Sequence, residues 1–325
     1  MDTSVIICST GRPLTLHETV LGLLKQTVRP DSILLSLSDD TSVLSDTSAL
    51  PSVRCVLGPR GSSIQRNTAI PLVRTAYTLF LDDDVELASD YLAQMERLFA
   101  ADPSIVAASG GVAADGAADG REIRREAAIR AILNYRGNRE CGPYNDLYGC
   151  NMFVRSEVLR LELFDERLPS YAWLEDLDFS ERCKRHGRLV RNRAALMAHL
   201  GTRSGRTSDV RYGYTKVANP WYLWRKSVLT SLAEVVVRYW AKTTAGNLVR
   251  AIMTTGAQGV NYKKRLLGNL MAYRDLLLRR IDPQNVLKIE DERDPLELQT
   301  AANRGASTLP SFPIPTPGDH SLDDH

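Results

Sequence analysis

Short apolar, β-branched runs alternating with segments of helical apolar spacing constrain this 325-residue chain more than any other feature. Ser4–Cys8, Ile33–Leu37, Val53–Leu57, Tyr77–Leu81 and Ile105–Ser109 read as buried strands. Between them Leu16, Val20, Leu23 and Leu24 recur at helix period, as do Ile64, Ala69, Leu72 and Val73. Leu92, Met95, Leu98 and Phe99 do the same behind Ser89, the expected N-cap. This alternation predicts an α/β fold: a Rossmann-like, mostly parallel sheet with flanking helices and right-handed crossovers. Ligands of such sheets bind beyond the carboxyl ends of the strands. That rule gathers Thr10, Asp39, Asp40 and Asp82–Asp84 on one rim.

The pattern changes after residue 110. Residues 112–120 are rich in Ala, Gly and Asp and read as a mobile loop; 121–135 read as a short Arg-bearing helix. Leu147–Val154 is expected as a strand, Glu175–His186 as a helix and Leu189–His199 as mixed strand. Trp221–Arg280 is helical in pattern, and the Pro-rich residues 301–325 are expected to be disordered.

Composition excludes whole classes. With 43% hydrophobic and 25% charged residues the chain is neither wholly disordered nor fibrous. It has no uncharged apolar run of about 18 residues, so no transmembrane helix is expected. The start, MDTSVIICST, lacks a basic n-region and reads as a core strand rather than a secretion signal. Five scattered cysteines without C-x-x-C argue against a disulfide scaffold or zinc ribbon and fit a reducing cytosol.

The net charge of +2 hides a strong asymmetry. Residues 1–181 carry 17 basic and 27 acidic side chains, residues 182–280 carry 21 and 3, and residues 281–325 carry 3 and 9. The basic block reads either as a contact for a diphosphate, an anionic membrane surface or nucleic acid, or as a solvated helical face. Within Trp221–Arg280, cations such as Arg225, Lys226, Arg238, Lys242, Arg250 and Lys263 are interspersed with Trp221, Trp224 and Trp240. Such helices suit the surface of an anionic bilayer. No nucleic-acid recognition motif accompanies them, which ranks nucleic acid low.

The chemistry centres on Phe80-Leu81-Asp82-Asp83-Asp84-Val85. Adjacent carboxylates repel one another, and a hard divalent cation, Mn or Mg, offsets that repulsion. Strand alternation points Asp82 and Asp84 to one side and Asp83 to the other. The competing reading is a solvated acidic turn capping the next helix. Glu175-Asp176 likewise read either as catalytic carboxylates or as an acidic first helical turn.

Six segments in order resemble the inverting family 2 glycosyltransferases, whose fold is the glycosyltransferase-A type, over roughly residues 3–226. They are VIICSTGRP, ILLSLSDDTS, GSSIQRNTAI, LFLDDDVEL, YGCNMFVRSEVL with LFDERL, and WLEDLDFSERCKRHG. One departure is Thr41, where the family usually has Gly. The resemblance implies a nucleotide-sugar-binding catalytic domain at 1–215; charge and composition add a basic amphipathic helical region at 216–298 and a disordered tail at 299–325. It puts Thr10, Arg12, Asp39, Asp40, Arg66, Asp82 and Asp83 around the nucleotide, with Asp84 and His199 on the metal. It makes Asp176 the general base, with Glu175 beside it, and offers Asn151, Trp173, Arg203 and Arg206 to the substrates. Asn151 is equally readable as a satisfied buried amide, Trp173 as core, and His199 as a surface histidine at a strand end. His17 and His186 read as helix-surface residues.

The implied reaction moves a sugar from a nucleotide-diphosphate donor, with UDP as the leading base carrier, to a hydroxyl of a saccharide or lipid-linked acceptor. The expected location is the cytoplasm or the inner face of the membrane. A non-catalytic nucleotide- or lipid-binding protein that keeps the fold is the alternative, and nucleotidyl transfer is a third class with similar metal chemistry.

Overall fold

The computed structural model describes residues 2–290 except 119, 203, 205, 206 and 254–259. Arg203, Arg206 and the tail at 299–325 therefore lie outside the described residues. Nine strands form one sheet: β1 (Thr3–Ser9), β2 (Ser32–Leu37), β3 (Val53–Leu57), β4 (Tyr77–Asp82), β5 (Val85–Leu87), β6 (Ile105–Asp115), β7 (Cys141–Pro143), β8 (Asn151–Arg155) and β9 (Arg188–His199). Their order is β3-β2-β1-β4-β8-β6-β9-β5, with β7 beside β9. β1 to β4 run parallel, as does β6 with β9. β8 runs antiparallel to β4 and β6, and β5 and β7 antiparallel to β9. The sheet is thus mostly parallel, as expected, with an antiparallel insertion that periodicity does not disclose.

The helices are α1 (Pro13–Leu24), a single turn α2 (Ser45–Ser48), α3 (Ser62–Ala69), α4 (Tyr91–Ala101), α5 (Arg125–Leu133), α6 (Glu175–Cys183), α7 (Asp209–Arg225), α8 (Leu232–Glu234), α9 (Lys242–Met253) and α10 (Tyr262–Leu277). Alternation along the strands explains why both sheet faces are dry. Val5, Ile7, Ile33, Leu35, Leu79 and Phe153 point to one face and meet Leu16, Val20, Met95 and Phe99 of α1 and α4. Ile6, Leu34, Phe80 and Met152 point to the other and meet Ala69, Phe164 and Phe179. The Phe164 and Phe179 rings stack with centroids 4.3 Å apart, and Phe80 meets Phe164 edge-on at 5.0 Å.

Three local expectations are corrected. The N-cap position of α4 is Asp90, not Ser89; its Oδ2 accepts from the side-chain Nε2 of Gln94 at 2.8 Å rather than from a backbone N–H. Residues 112–115 are not loop: β6 continues to Asp115 because it pairs with β9 as far as His199. β8 starts at Asn151, four residues later than expected, with a turn preceding it.

The C-terminal helices pack closely on α7. A Cβ on Gly268 would lie 2.1 Å from the Val210 carbonyl oxygen, and one on Gly213 would lie 2.0 Å from that of Arg265. Glycine at both positions lets α7 and α10 cross nearly backbone to backbone. Asn269 Nδ2 donates to the Gly213 carbonyl at 2.7 Å, and Tyr214, Val217, Ala218, Ala272 and Val286 fill the seam. Among the described residues, no helix is long and apolar enough to cross a membrane.

Candidate active site

A cavity of about 330 Å³ opens beyond the carboxyl ends of β1 and β4. Thr10, Arg12, Arg66, Asp82, Asp84, Trp173, Glu175, Asp176 and His199 all line it. These residues are separated by up to 189 positions in sequence, and parallel β-topology is what gathers them.

The acidic side comes from the end of β4. Asp82, Asp84 and His199 each offer one ligand atom, all within 4.8 Å of one another. Asp83 points away, as alternation requires. It is fully buried, accepts from Ser9 Oγ at 2.5 Å and pairs with Arg12 at 2.6 Å. Burial raises the Asp83 carboxyl, with Arg12 pulling the other way and the like charge of Asp84 adding to the rise. Asp84 is held low despite its burial, because His199, Arg12 and the Thr202 N–H (2.7 Å) favour its anion. Asp83 is thus a buried partner of the Arg12 loop rather than a lining residue.

His199 sits between carboxylates. Its Nε2 is 3.3 Å from Asp84 Oδ1, and its Nδ1 is 3.3 Å from Asp115 Oδ1 and 3.2 Å from the Tyr148 hydroxyl. Burial disfavours the imidazolium, yet Cys150, Asp115 and Asp84 together hold the pKa above its ordinary value. Tyr148 also donates to Asp115 Oδ2 at 2.7 Å. This arrangement orients the ring and turns Nε2 toward Asp82 and Asp84, the usual support for a metal-binding histidine. Two carboxylates and one imidazole suit Mn, and less well Mg. Sequence reading missed Asp115 and Tyr148: Asp115 lies in a stretch taken for loop, and only its pairing with His199 across β6 and β9 reveals it.

Another part of the cavity wall is the start of α6. Ser170, Ala172 and Leu174, all non-glycine, have φ of 61°, 47° and 74°. Left-handed backbone at such residues costs about 1–3 kcal/mol each and concentrates at functional sites. It delivers Glu175 and Asp176 to the cavity wall. Asp176 Oδ2 accepts the Gly149 N–H at 3.1 Å and Oδ1 accepts the Leu177 N–H at 2.9 Å. A Cβ at Gly149 would press on both carboxylates at 3.2–3.3 Å, so glycine there admits the approach. Burial raises the Asp176 pKa, while the Gly149 and Leu177 N–H groups restrain it. Glu175 is pushed up to about 7 by burial and by Asp176, although Arg66 Nη1 lies 2.5 Å from Oε1. Arg66 is itself buried over the Phe164 ring, donates to the Gly149 carbonyl at 3.0 Å and lies 3.8 Å from Asp82.

Trp173 lines the cavity beside Asp176, and Lys216 Nζ lies 3.3 Å from its ring centroid. Burial lowers the Lys216 pKa to about 7, with Arg265 adding to the effect. No sequence signal marks this lysine.

Besides Asp83, three predicted residues stand apart. Asn151 is fully buried, accepts from the Tyr91 hydroxyl and the Gly110 N–H, and does not line the cavity. It is a core amide and cannot reach a sugar without repacking. Asp39 and Asp40 end β2 outside the lining residues. Asp39 accepts from Ser38, Thr41 and Ser42, at 2.8, 2.7 and 2.9 Å. Burial opposes its anion, but these hydroxyls hold its pKa low. Ser42 Oγ in turn accepts the Gly11 N–H at 2.8 Å, tying this loop to the one bearing Thr10 and Arg12. Thr41, where the family usually has Gly, is thus one of the donors to Asp39. His17 bonds Thr47 and His186 bonds Glu162, both away from the cavity.

With this geometry in place, comparison with known proteins defines the class. Residues 4–161 match the family model described as glycosyl transferase family 2. Residues 4–161 are thus a glycosyltransferase family 2 domain, and the fold is of the glycosyltransferase-A type. The S. aureus TarS structure (residues 1–349) superimposes with TM-score 0.51 at 13% identity, covering 85% of this chain and 92% of that one. The mannosyltransferase PcManGT of Pyrobaculum calidifontis, in complex with GDP-Man and Mn2+, aligns with TM-score 0.49 at 15% identity over 88% and 85%. GalNAc-T7 with UDP, GalNAc and Mn2+ aligns with TM-score 0.49 at 14% identity; the match covers 73% of this chain and 53% of that chain. No curated protein sequence matches significantly.

Proposed function

We propose that this protein is a metal-dependent inverting glycosyltransferase. It moves a sugar from a nucleotide-diphosphate donor to a hydroxyl of a saccharide or lipid-linked acceptor, in the synthesis of a polysaccharide or glycolipid. One observation carries the reading: Asp176 and the Asp82, Asp84 and His199 group line the same cavity.

Asp176 acts as the base. Its two oxygens are steered by backbone N–H groups, and burial raises its proton affinity toward the working range. It takes the acceptor hydroxyl proton while that oxygen attacks the anomeric carbon. The bond from that carbon to the diphosphate oxygen breaks on the opposite side, so a single displacement inverts the centre. Glu175 positions through Arg66 rather than touching the reacting atoms. Thr10 faces the nucleotide, its loop braced by Asp39 through Ser42, with UDP as the leading donor carrier, and Trp173 offers the acceptor sugar a stacking face. Asp82, Asp84 and His199 would hold a divalent ion, Mn or Mg, which supplies Lewis acidity to the departing diphosphate when bound.

Asp176→Asn tests this. General-base catalysis is worth about 10²–10⁴ in rate. The variant should lose transfer by that factor yet keep the thermal shift produced by its nucleotide in a panel of UDP, GDP and dTDP with Mn2+, with Mg2+ and with chelator. Unchanged transfer removes Asp176 from the mechanism; no shift with any nucleotide removes the donor site.

A further inference from the structure

The basic C-terminal region carries a second surface, separate from the cavity. The sequence from Val235 to Arg280 contains nine Lys or Arg and one acid, Asp275. Asp275 is buried and occupied by Arg274, Arg280 and the Tyr214 hydroxyl. The tryptophans of this region face inward. Trp221 lies 5.0 Å from Trp224 and 6.1 Å from Trp240, and Trp240 Nε1 donates to the Val217 carbonyl at 3.0 Å. What faces outward is aliphatic: Leu248 47%, Ile252 78%, Leu270 54% and Leu277 84% exposed.

These side chains share one side of a helical hairpin. Thr244 bonds Tyr273, and Asn247 bonds Asn269, both at 2.8 Å. The partners run in opposite sequence directions, so α9 and α10 are antiparallel. In an antiparallel pair, a step of one residue, about 100°, from each contact position turns both helices to the same side. That step reaches Leu248 from Asn247, Leu270 from Asn269 and Arg274 from Tyr273. One further turn adds Ile252 and Leu277. Lys263 lies on the same stripe of α10, and Arg279 and Arg280 are exposed just past its end.

We propose that this face of the α9–α10 hairpin docks on an anionic lipid bilayer, with the aliphatic residues entering the interface and the cations meeting lipid phosphates. Aliphatic insertion combined with basic attraction is the physical signature of interfacial helices. A second copy of the chain would set basic face against basic face. Nucleic acid would leave the aliphatic stripe without a partner. The inference needs neither donor nor acceptor and stands apart from the transfer chemistry.

The test is flotation of the full chain with vesicles of phosphatidylcholine containing one quarter phosphatidylglycerol, and with phosphatidylcholine alone. Binding to the anionic vesicles should weaken with salt. The pair Ile252→Asp and Leu277→Asp should reduce it at least tenfold with an unchanged melting temperature. Lys263→Gln with Arg279→Gln should weaken binding at low salt and make its salt dependence shallower. No flotation, equal binding to neutral vesicles, or binding unaffected by the aspartates overturns the proposal. Retention on RNA, or a dimer, that the aspartates abolish assigns the face to that other partner instead.

Discussion

Asp115→Asn is the sharpest test of how the site holds a metal. Asp115 is not among the predicted metal ligands; it acts through one of them, His199, whose Nδ1 it faces at 3.3 Å. Its Oδ1 is fixed by the Ala117 and Ala118 N–H groups at 3.0 and 3.1 Å, and its Oδ2 takes the Tyr148 hydroxyl. An asparagine whose oxygen stays on those two N–H groups keeps the loop in place. Its amide then faces the Tyr148 hydroxyl, which can accept. The shape survives and the negative charge behind the imidazole is lost.

Removing such a supporting group typically costs 10–100-fold in metal affinity. That corresponds to about 1.4–2.7 kcal/mol. The assay is a Mn2+ titration of the wild type and of Asp115→Asn, by calorimetry and by the rise of the melting temperature with log concentration. Asp84→Asn, which removes a ligand, should abolish the response. Asp115→Asn should move it to 10–100-fold higher Mn2+ with a metal-free melting temperature close to wild type. A Mn2+ affinity within twofold of wild type would refute the supporting role. A wild type that binds no Mn2+ would refute the metal site itself.

Two further outcomes follow from the packing and the charges. Glu175 has its pKa raised from 4.5 to about 7 in the folded state, so the folded chain holds a proton that the unfolded chain has released. Its contribution to stability therefore falls as pH rises from about 4.5 to about 7 and is level outside that window. Glu175→Gln should flatten the melting-temperature profile there, and parallel wild-type and variant profiles would defeat the assignment. Gly268→Ala should cost about 2 kcal/mol, because its Cβ meets the Val210 carbonyl oxygen at 2.1 Å. A calorimetric scan showing no fall in melting temperature would mean that α7 and α10 separate without loss.

What the sequence discloses follows the range of the physics. β1, β2 and β4 are buried on both faces, so their apolar runs stand out locally; β3, an edge strand with Arg54, Cys55 and Leu57 exposed, is found to the residue by its β-branched residues and the turn at Gly58. Asp82–Asp84 and His199 are legible because each ends such a strand. Asp115 is not. The end of β6 is mostly Gly and Ala, poor strand formers, around a single Val, and it is extended because β9 pairs with it. Asn151 misleads for the converse reason. Its position after Gly149-Cys150 resembles a substrate-side motif, yet β8 turns its side chain onto Tyr91 in the core. Lys216 on Trp173 is a contact between elements over 40 residues apart, invisible to any local pattern.

The two sides of the cavity are not independent. Arg66 reaches Glu175, the Gly149 carbonyl and, at 3.8 Å, Asp82. Gly149 in turn donates to Asp176. One buried guanidinium therefore sits between the carboxylates that would face the acceptor and a carboxylate that would face the metal. Two buried carboxylates at adjacent positions would otherwise favour protonation of both, and Arg66 lets the glutamate absorb that conflict while the aspartate keeps its oxygens on backbone N–H groups. The strained turn at 170–174 fits the same logic. A relaxed helix start would place Glu175 and Asp176 by propensity alone, whereas left-handed residues immediately before α6 aim them. The arrangement spends local stability to hold Asp176, with Glu175 and Arg66 behind it, at a fixed place in the cavity that Asp82, Asp84 and His199 also line, which is what the proposed single displacement asks of its base.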